Sequence, residues 1–82
     1  MNEKIMIVDD DKDIREVIQV LLSSEGYNVI EASNGKEALE LVDDDTDLII
    51  LDVMMPEMNG YQACVLLREK TKAPILFLTA KG

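Results

Sequence analysis

Short apolar runs alternate with amphipathic helical patterns along the whole chain, and this alternation limits the possible folds more than any other feature. Residues 5–8 (IMIV) and 47–52 (DLIILD) are near-continuous apolar runs, too short for helices and typical of strands buried on both faces. Residues 27–32 (YNVIEA) alternate, as a strand near a sheet edge does, and 74–78 (PILFL) form a fourth run opened by a proline. Between the first two strands, Ile14, Val17, Ile18, Leu21 and Leu22 form one helical stripe, with Asp11 as N-cap and Gly26 as the terminating glycine. Residues 33–42 (SNGKEALELV) predict a short capped helix with Ala38, Leu39 and Val42 on one face. After the turn-forming loop 53–60 (VMMPEMNG), residues 61–70 predict a third helix with Ala63, Leu66 and Leu67 inward.

The order is therefore β-α-β-α-β-α-β. Strands joined through helices run parallel with right-handed crossovers, so the helices cover both faces of the sheet. The expected fold is an α/β doubly wound parallel sheet, in which strands 1 and 3 are neighbours if the order is 2-1-3-4, and such sheets place their sites at the carboxyl ends of the strands. At 82 residues the chain is at most one small domain, whose core supplies only roughly 3–5 kcal/mol of net stability. Cys64 is alone, so no disulfide braces it, and a single thiol suits a reducing compartment. No leader-like or membrane-spanning segment is visible, and we expect a cytoplasmic protein with no membrane contact. Seventeen acids against eight bases, a net charge of −9, argue against nucleic acid as a direct partner. They are compatible with a cation or a basic patch on another protein.

The acids are not spread evenly. Asp9, Asp10, Asp11 and Asp13 occupy five positions directly after the first strand, and Asp52 ends the third. In the order 2-1-3-4, Asp9, Asp10 and Asp52 converge at one end of the sheet. Three carboxylates that close raise at least one pKa unless a cation sits among them, and an oxygen-rich site with an open side suits Mg²⁺. Thr79, ending the fourth strand, would present its hydroxyl at the same rim. A calcium EF-hand is rejected: from Asp9, the sixth and twelfth positions are Ile14 and Val20, where glycine and glutamate are needed. Dinucleotide and phosphate-loop readings fail for want of glycines after the first strand. An Asp-x-Asp phosphatase with Asp9 as nucleophile stays open as a distant second, and it leaves Asp52 without an obvious role. Asp11 and Asp13 fit a helix cap and a first-turn acid better than ligands, and 43–47 (DDDTD) reads as a solvated loop.

Four segments, IMIVDDDKDIREVI (5–18), SNGKEAL (33–39), DLIILDVMMPEMNG (47–60) and APILFLTA (73–80), resemble the receiver domain of bacterial two-component response regulators. The match is collinear over the whole chain. It implies a flavodoxin-like fold whose fifth strand and last two helices are missing, so that residues 1–82 form a partial, truncated receiver domain. It also implies a phosphoacceptor signalling switch rather than a turnover enzyme. Asp52 accepts a phosphoryl group from the phosphohistidine of a sensor histidine kinase or phosphotransfer protein. Asp10, Asp52 and the Met54 carbonyl bind Mg²⁺, with Asp9 acting largely through water, while Thr79 and the Ala80 N–H meet the phosphoryl oxygens. The chain has no histidine, so it is not itself the donor. The resemblance places a phosphoryl-pairing lysine in the missing part, and Lys81 is too close to Thr79 to replace it. We therefore expect metal binding to survive better than phosphorylation, with a non-catalytic docking fragment as the alternative. We also expect self-association through the exposed edge of the fourth strand.

Overall fold

The computed structural model describes residues 3–55 and 58–78. Four strands, β1 (Lys4–Val8), β2 (Asn28–Ala32), β3 (Thr46–Asp52) and β4 (Ile75–Leu78), alternate with three helices, α1 (Lys12–Ser24), α2 (Gly35–Leu41) and α3 (Gly60–Arg68). All strand pairs are parallel and the order is β2-β1-β3-β4, the expected doubly wound topology. The two near-continuous apolar runs take the centre of the sheet, and the alternating run takes an edge.

Met6 and Val8 of β1 pair with Ile49 and Leu51 of β3. They share one core with Ala38 of α2 and with Ala63 and Leu67 of α3. The alternate residues, Ile7 and Ile50, point to the other face, where α1 lies over β1 and β2. Core size is thus set by a few residues. Truncating Ile49, fully buried between helices and sheet, removes about 2–5 kcal/mol.

Helix ends follow the local chemistry. The Asp11 carboxylate accepts from the N–H groups of Asp13 and Ile14, which starts α1 directly after the acid run. At its other end Gly26 has φ of +93°, while the Gly26 and Tyr27 N–H groups return to the carbonyls of Ser23 and Leu22. This is a Schellman closure, where a glycine takes the left-handed conformation cheaply. Asn59, expected to be a turn residue, instead caps α3: its side chain accepts from the Gln62 N–H and the Gln62 side chain returns to the Asn59 N–H. The capping box moves the helix start from the expected Tyr61 to Gly60.

Other differences concern exposure. Of the α1 stripe, Ile18 and Leu22 turn toward the sheet while Val17 and Leu21 stay about 60% exposed (59% and 62%). The helix packs against β1 and β2, and this contact leaves Val17 and Leu21 in solvent. Leu66 of α3 is likewise exposed rather than inward. Nor is the acid loop simply solvated. Lys4 donates through its backbone N–H to Asp47 at 2.8 Å and through Nζ to Asp43 at 2.5 Å, at the point where the β1–β3 register shifts. We expect Ile49→Ala to leave the chain largely unfolded at 25 °C, because its cost is comparable with the whole stability of a core this small. Urea unfolding followed by circular dichroism checks this.

Candidate functional site

The site is built where β1 and β3 end side by side. Val8 pairs with Leu51, so the next residues, Asp9 and Asp52, stand opposite each other on the α1 side of the sheet. Asp9 is 2% exposed and Asp52 is 5% exposed, whereas Asp10 is open to solvent. One carboxylate oxygen from each of Asp9, Asp10 and Asp52 lies within 4.8 Å of the others. These acids line an open cleft of about 330 Å³ whose walls include Ile14 and Ile18 of α1, Met54, and Leu78 of β4.

Each acid is held by local backbone. The Asp9 N–H donates to the Ala32 carbonyl of β2 at 3.1 Å, and Asp9 Oδ1 accepts from the Asp11 N–H at 2.8 Å. Asp52 Oδ1 accepts from the Met54 N–H at 3.0 Å, which orients that carboxylate and turns the chain after β3. The same stretch is pressed against α3. The Gly60 N–H donates to the Val53 carbonyl, and a Cβ on Gly60 would meet the Asp52 carbonyl oxygen and stand 2.8 Å from the Val53 Cα. Only a glycine lets α3 begin this close to Asp52 at the end of β3.

Electrostatics give the site its character. Burial pushes the Asp9 carboxyl above the ordinary carboxylate range, against the lowering effect of the Asp11 N–H; Asp52, by charge and by a side-chain hydrogen bond, and Asp10, by charge, push it further. At separations near 4.8 Å two carboxylates repel by roughly 3 kcal/mol at an effective dielectric of about 20, and by less where Asp10 meets solvent. The donor set is all oxygen, partly buried and open on one side, which fits a small hard cation.

The structure brings together Asp9, Asp10 and Asp52, with Met54 at the rim of the same cleft. The side chain of Met54 is 71% exposed, so any contribution to the site falls to its backbone. Thr79 and Ala80 lie outside the described residues, as does Lys81. Asp11 lines the cleft, yet its carboxylate caps α1, and Asp13 sits in the first turn. Two contributors escaped the sequence reading. Arg15 donates from Nη1 to the Asp9 carbonyl at 2.7 Å, and Gly60 permits the close approach of α3. A base one turn into the helix that follows the acid run was a signal for the first; the glycine after a cap residue was one for the second.

The response regulator receiver domain family matches residues 5–82. The chain belongs to that family. A transcriptional regulatory protein of Escherichia coli K12, CpxR, is 47% identical over 79 residues, which are 96% of this chain and 34% of CpxR. The transcriptional regulatory protein YvrH of Bacillus subtilis is 49% identical over 83 residues, covering 99% of this chain and 35% of YvrH. The receiver chain thus spans about a third of the curated relatives it matches. Among solved structures, the response regulator TrrA of Thermotoga maritima, in complex with Mg²⁺ and BeF, is 40% identical with a TM-score of 0.88. The match covers all of this chain and 72% of that one. TrrA has also been solved in complex with the histidine kinase ThkA, a match at 39% identity and a TM-score of 0.86.

The crowding in this receiver pocket has a pH signature. Asp9 holds its proton more tightly folded than unfolded, so its contribution to stability is fully present below its unfolded pKa and is lost as pH rises through the higher folded value. The metal-free chain is therefore expected to gain stability as the pH falls from neutrality toward the ordinary carboxylate value of 3.8. Asp9→Asn should flatten this rise and stabilise the metal-free chain near neutrality. Thermal melts of both proteins in chelator across that range measure it.

Proposed function

We propose that this receiver domain accepts a phosphoryl group on Asp52 in a Mg²⁺-dependent reaction, as the switch of a two-component system. The observation that carries this reading is the convergence of Asp9, Asp10 and Asp52 at the carboxyl ends of β1 and β3, with Asp52 almost wholly buried. A buried acid with two acidic neighbours is costly unless it has a purpose.

Asp10 and Asp52, with the Met54 carbonyl, would hold Mg²⁺, and Asp9 would act through water. When bound, the ion neutralises charge on the transferring phosphoryl oxygens. The chain's own residues do the rest. The Met54 N–H fixes one Asp52 oxygen, so the carboxylate enters the cleft in a set orientation. An Asp52 oxygen forms the new bond to phosphorus as the P–N bond of the donor phosphohistidine breaks, and the electron pair returns to the imidazole nitrogen. Thr79 and the Ala80 N–H are assigned to the phosphoryl oxygens on the resemblance alone. The donor is a sensor histidine kinase or phosphotransfer protein in the cytoplasm, in line with the kinase complex of TrrA.

The Asp-x-Asp phosphatase fits less well. Its second acid, Asp11, is occupied in capping α1. A docking fragment without chemistry would leave the buried carboxylate unused. With Mg²⁺ and a small-molecule phosphodonor, intact-mass spectrometry of the full-length protein carrying this domain should show one phosphoryl adduct. Chelator and Asp52→Asn should each remove it. Absence of the adduct, or its persistence in Asp52→Asn, refutes the assignment.

A second reading concerns assembly. The β4 edge carries Leu76 at 58% exposure and Phe77 at 38%, and the Phe77 ring packs on exposed Tyr61 at a centroid distance of 5.2 Å. An unpaired strand with apolar residues on both faces is a template for a second chain. We propose that the 82-residue chain self-associates through this edge. Sedimentation should then give a mass that rises with protein concentration, and a strictly monomeric, cooperatively melting species overturns the proposal.

A further inference from the structure

Arg15 stands one turn into α1 and ends far from where its helix position alone would leave it. Its side chain is only 15% exposed. Nη1 donates to the Asp9 carbonyl at 2.7 Å, and Nε meets Glu31 Oε1 of β2 at 3.2 Å. Its backbone N–H donates to the Asp11 carbonyl at 3.0 Å. One residue therefore grips the loop on both sides of Asp10: the main chain before it, through the guanidinium, and the main chain after it, through the amide. Glu31 in turn fixes the guanidinium from a neighbouring strand. Asp10 is the one acid of the three that is open to solvent, so its direction depends on the loop that carries it.

We infer that Arg15, anchored by Glu31, is a positioning residue of the acid pocket: it holds the 9–11 loop so that the Asp10 carboxylate faces Asp52, and thereby sets divalent-cation affinity. It touches neither the cation nor the phosphoryl group. The inference rests on the proposed Mg²⁺ site and adds to it a pair of residues from α1 and β2. The guanidinium suits the task because its planar fork serves two acceptors at once, the carbonyl and the carboxylate, which a single ammonium reaches less well. Partners that orient ligands from behind are worth roughly 10–100-fold in metal affinity.

The test is Mg²⁺ titration calorimetry on the 82-residue chain and on Arg15→Ala, Arg15→Lys, Glu31→Gln and the Arg15→Ala/Glu31→Gln pair. Arg15→Ala should weaken Mg²⁺ binding about tenfold, with Arg15→Lys between it and the parent. Glu31→Gln should weaken binding alone but add nothing on top of Arg15→Ala, because it acts through the guanidinium. A merely structural role predicts additive losses that follow melting temperature rather than affinity. Phosphoryl uptake from a small donor, measured on the full-length protein, gives a second readout. Arg15→Ala should raise the Mg²⁺ needed for half-maximal rate and leave the rate at saturating Mg²⁺ close to that of the parent. Failure of the unsubstituted chain to bind Mg²⁺ refutes the proposed site itself. Binding by that chain with unchanged affinity in Arg15→Ala refutes only the positioning role. Should Arg15→Ala not fold by circular dichroism, Glu31→Gln decides: weaker Mg²⁺ binding supports the role and unchanged binding overturns it.

Discussion

The parallel pairing of β1 with β3 is the constraint on which the rest of this molecule depends. Its register sets Val8 beside Leu51, and so it sets Asp9 beside Asp52 one residue later. A slip of one residue would turn Asp52 to the other face of the sheet, into the core shared with α2 and α3. The apolar residues that lock the register, Met6, Val8, Ile49 and Leu51, are all fully buried. Hydrophobic packing on one face thus enforces electrostatic crowding on the other. The two cannot be relaxed separately.

Among the described residues, the cost of that crowding is spread over fixed backbone groups rather than relieved by basic side chains. The N–H groups of Asp11 and Met54 each satisfy one oxygen of Asp9 and Asp52. Arg15 lies near the acids, yet it spends its guanidinium on a carbonyl and on Glu31, not on the pocket carboxylates. Negative charge is therefore left in the cleft. For the cation and phosphoryl site proposed above, this is the useful arrangement, since a built-in ion pair would have to be broken first.

What could be read from the sequence was whatever depends on neighbours along the chain. The apolar runs, the Asp11 cap, the Gly26 stop and the strand-terminal acids all express local rules; the strand order 2-1-3-4, on which the meeting of the three acids depends, came with the resemblance. What could not be read depends on how far one element extends over another. Val17 and Leu21 obey helical periodicity as well as Ile18 and Leu22 do, and only the position of α1 over β1 and β2 separates them. Arg15 was not singled out because its partners, Asp9 just after β1 and Glu31 in β2, lie 6 and 16 residues away in sequence. Asn59 was misjudged for another reason: turn and cap chemistry use the same residue types, and the reciprocal Gln62 bond decides between them.

The uncovered apolar faces and the acid pocket belong to one problem. Ile14 and Ile18 wall the cleft on one side and Leu78 walls it on another, so the pocket mouth merges with apolar surface on α1 and at the end of β4. A partner that covered the Ile14, Ile18 and Leu78 rim would border the site where Asp10 meets solvent. A partner on that surface would lower the local dielectric around the three carboxylates and strengthen both their mutual repulsion and their hold on a cation. Burial of the apolar rim and occupation of the acid pocket are then coupled through one free energy: each favours the other, and by the same factor in both directions.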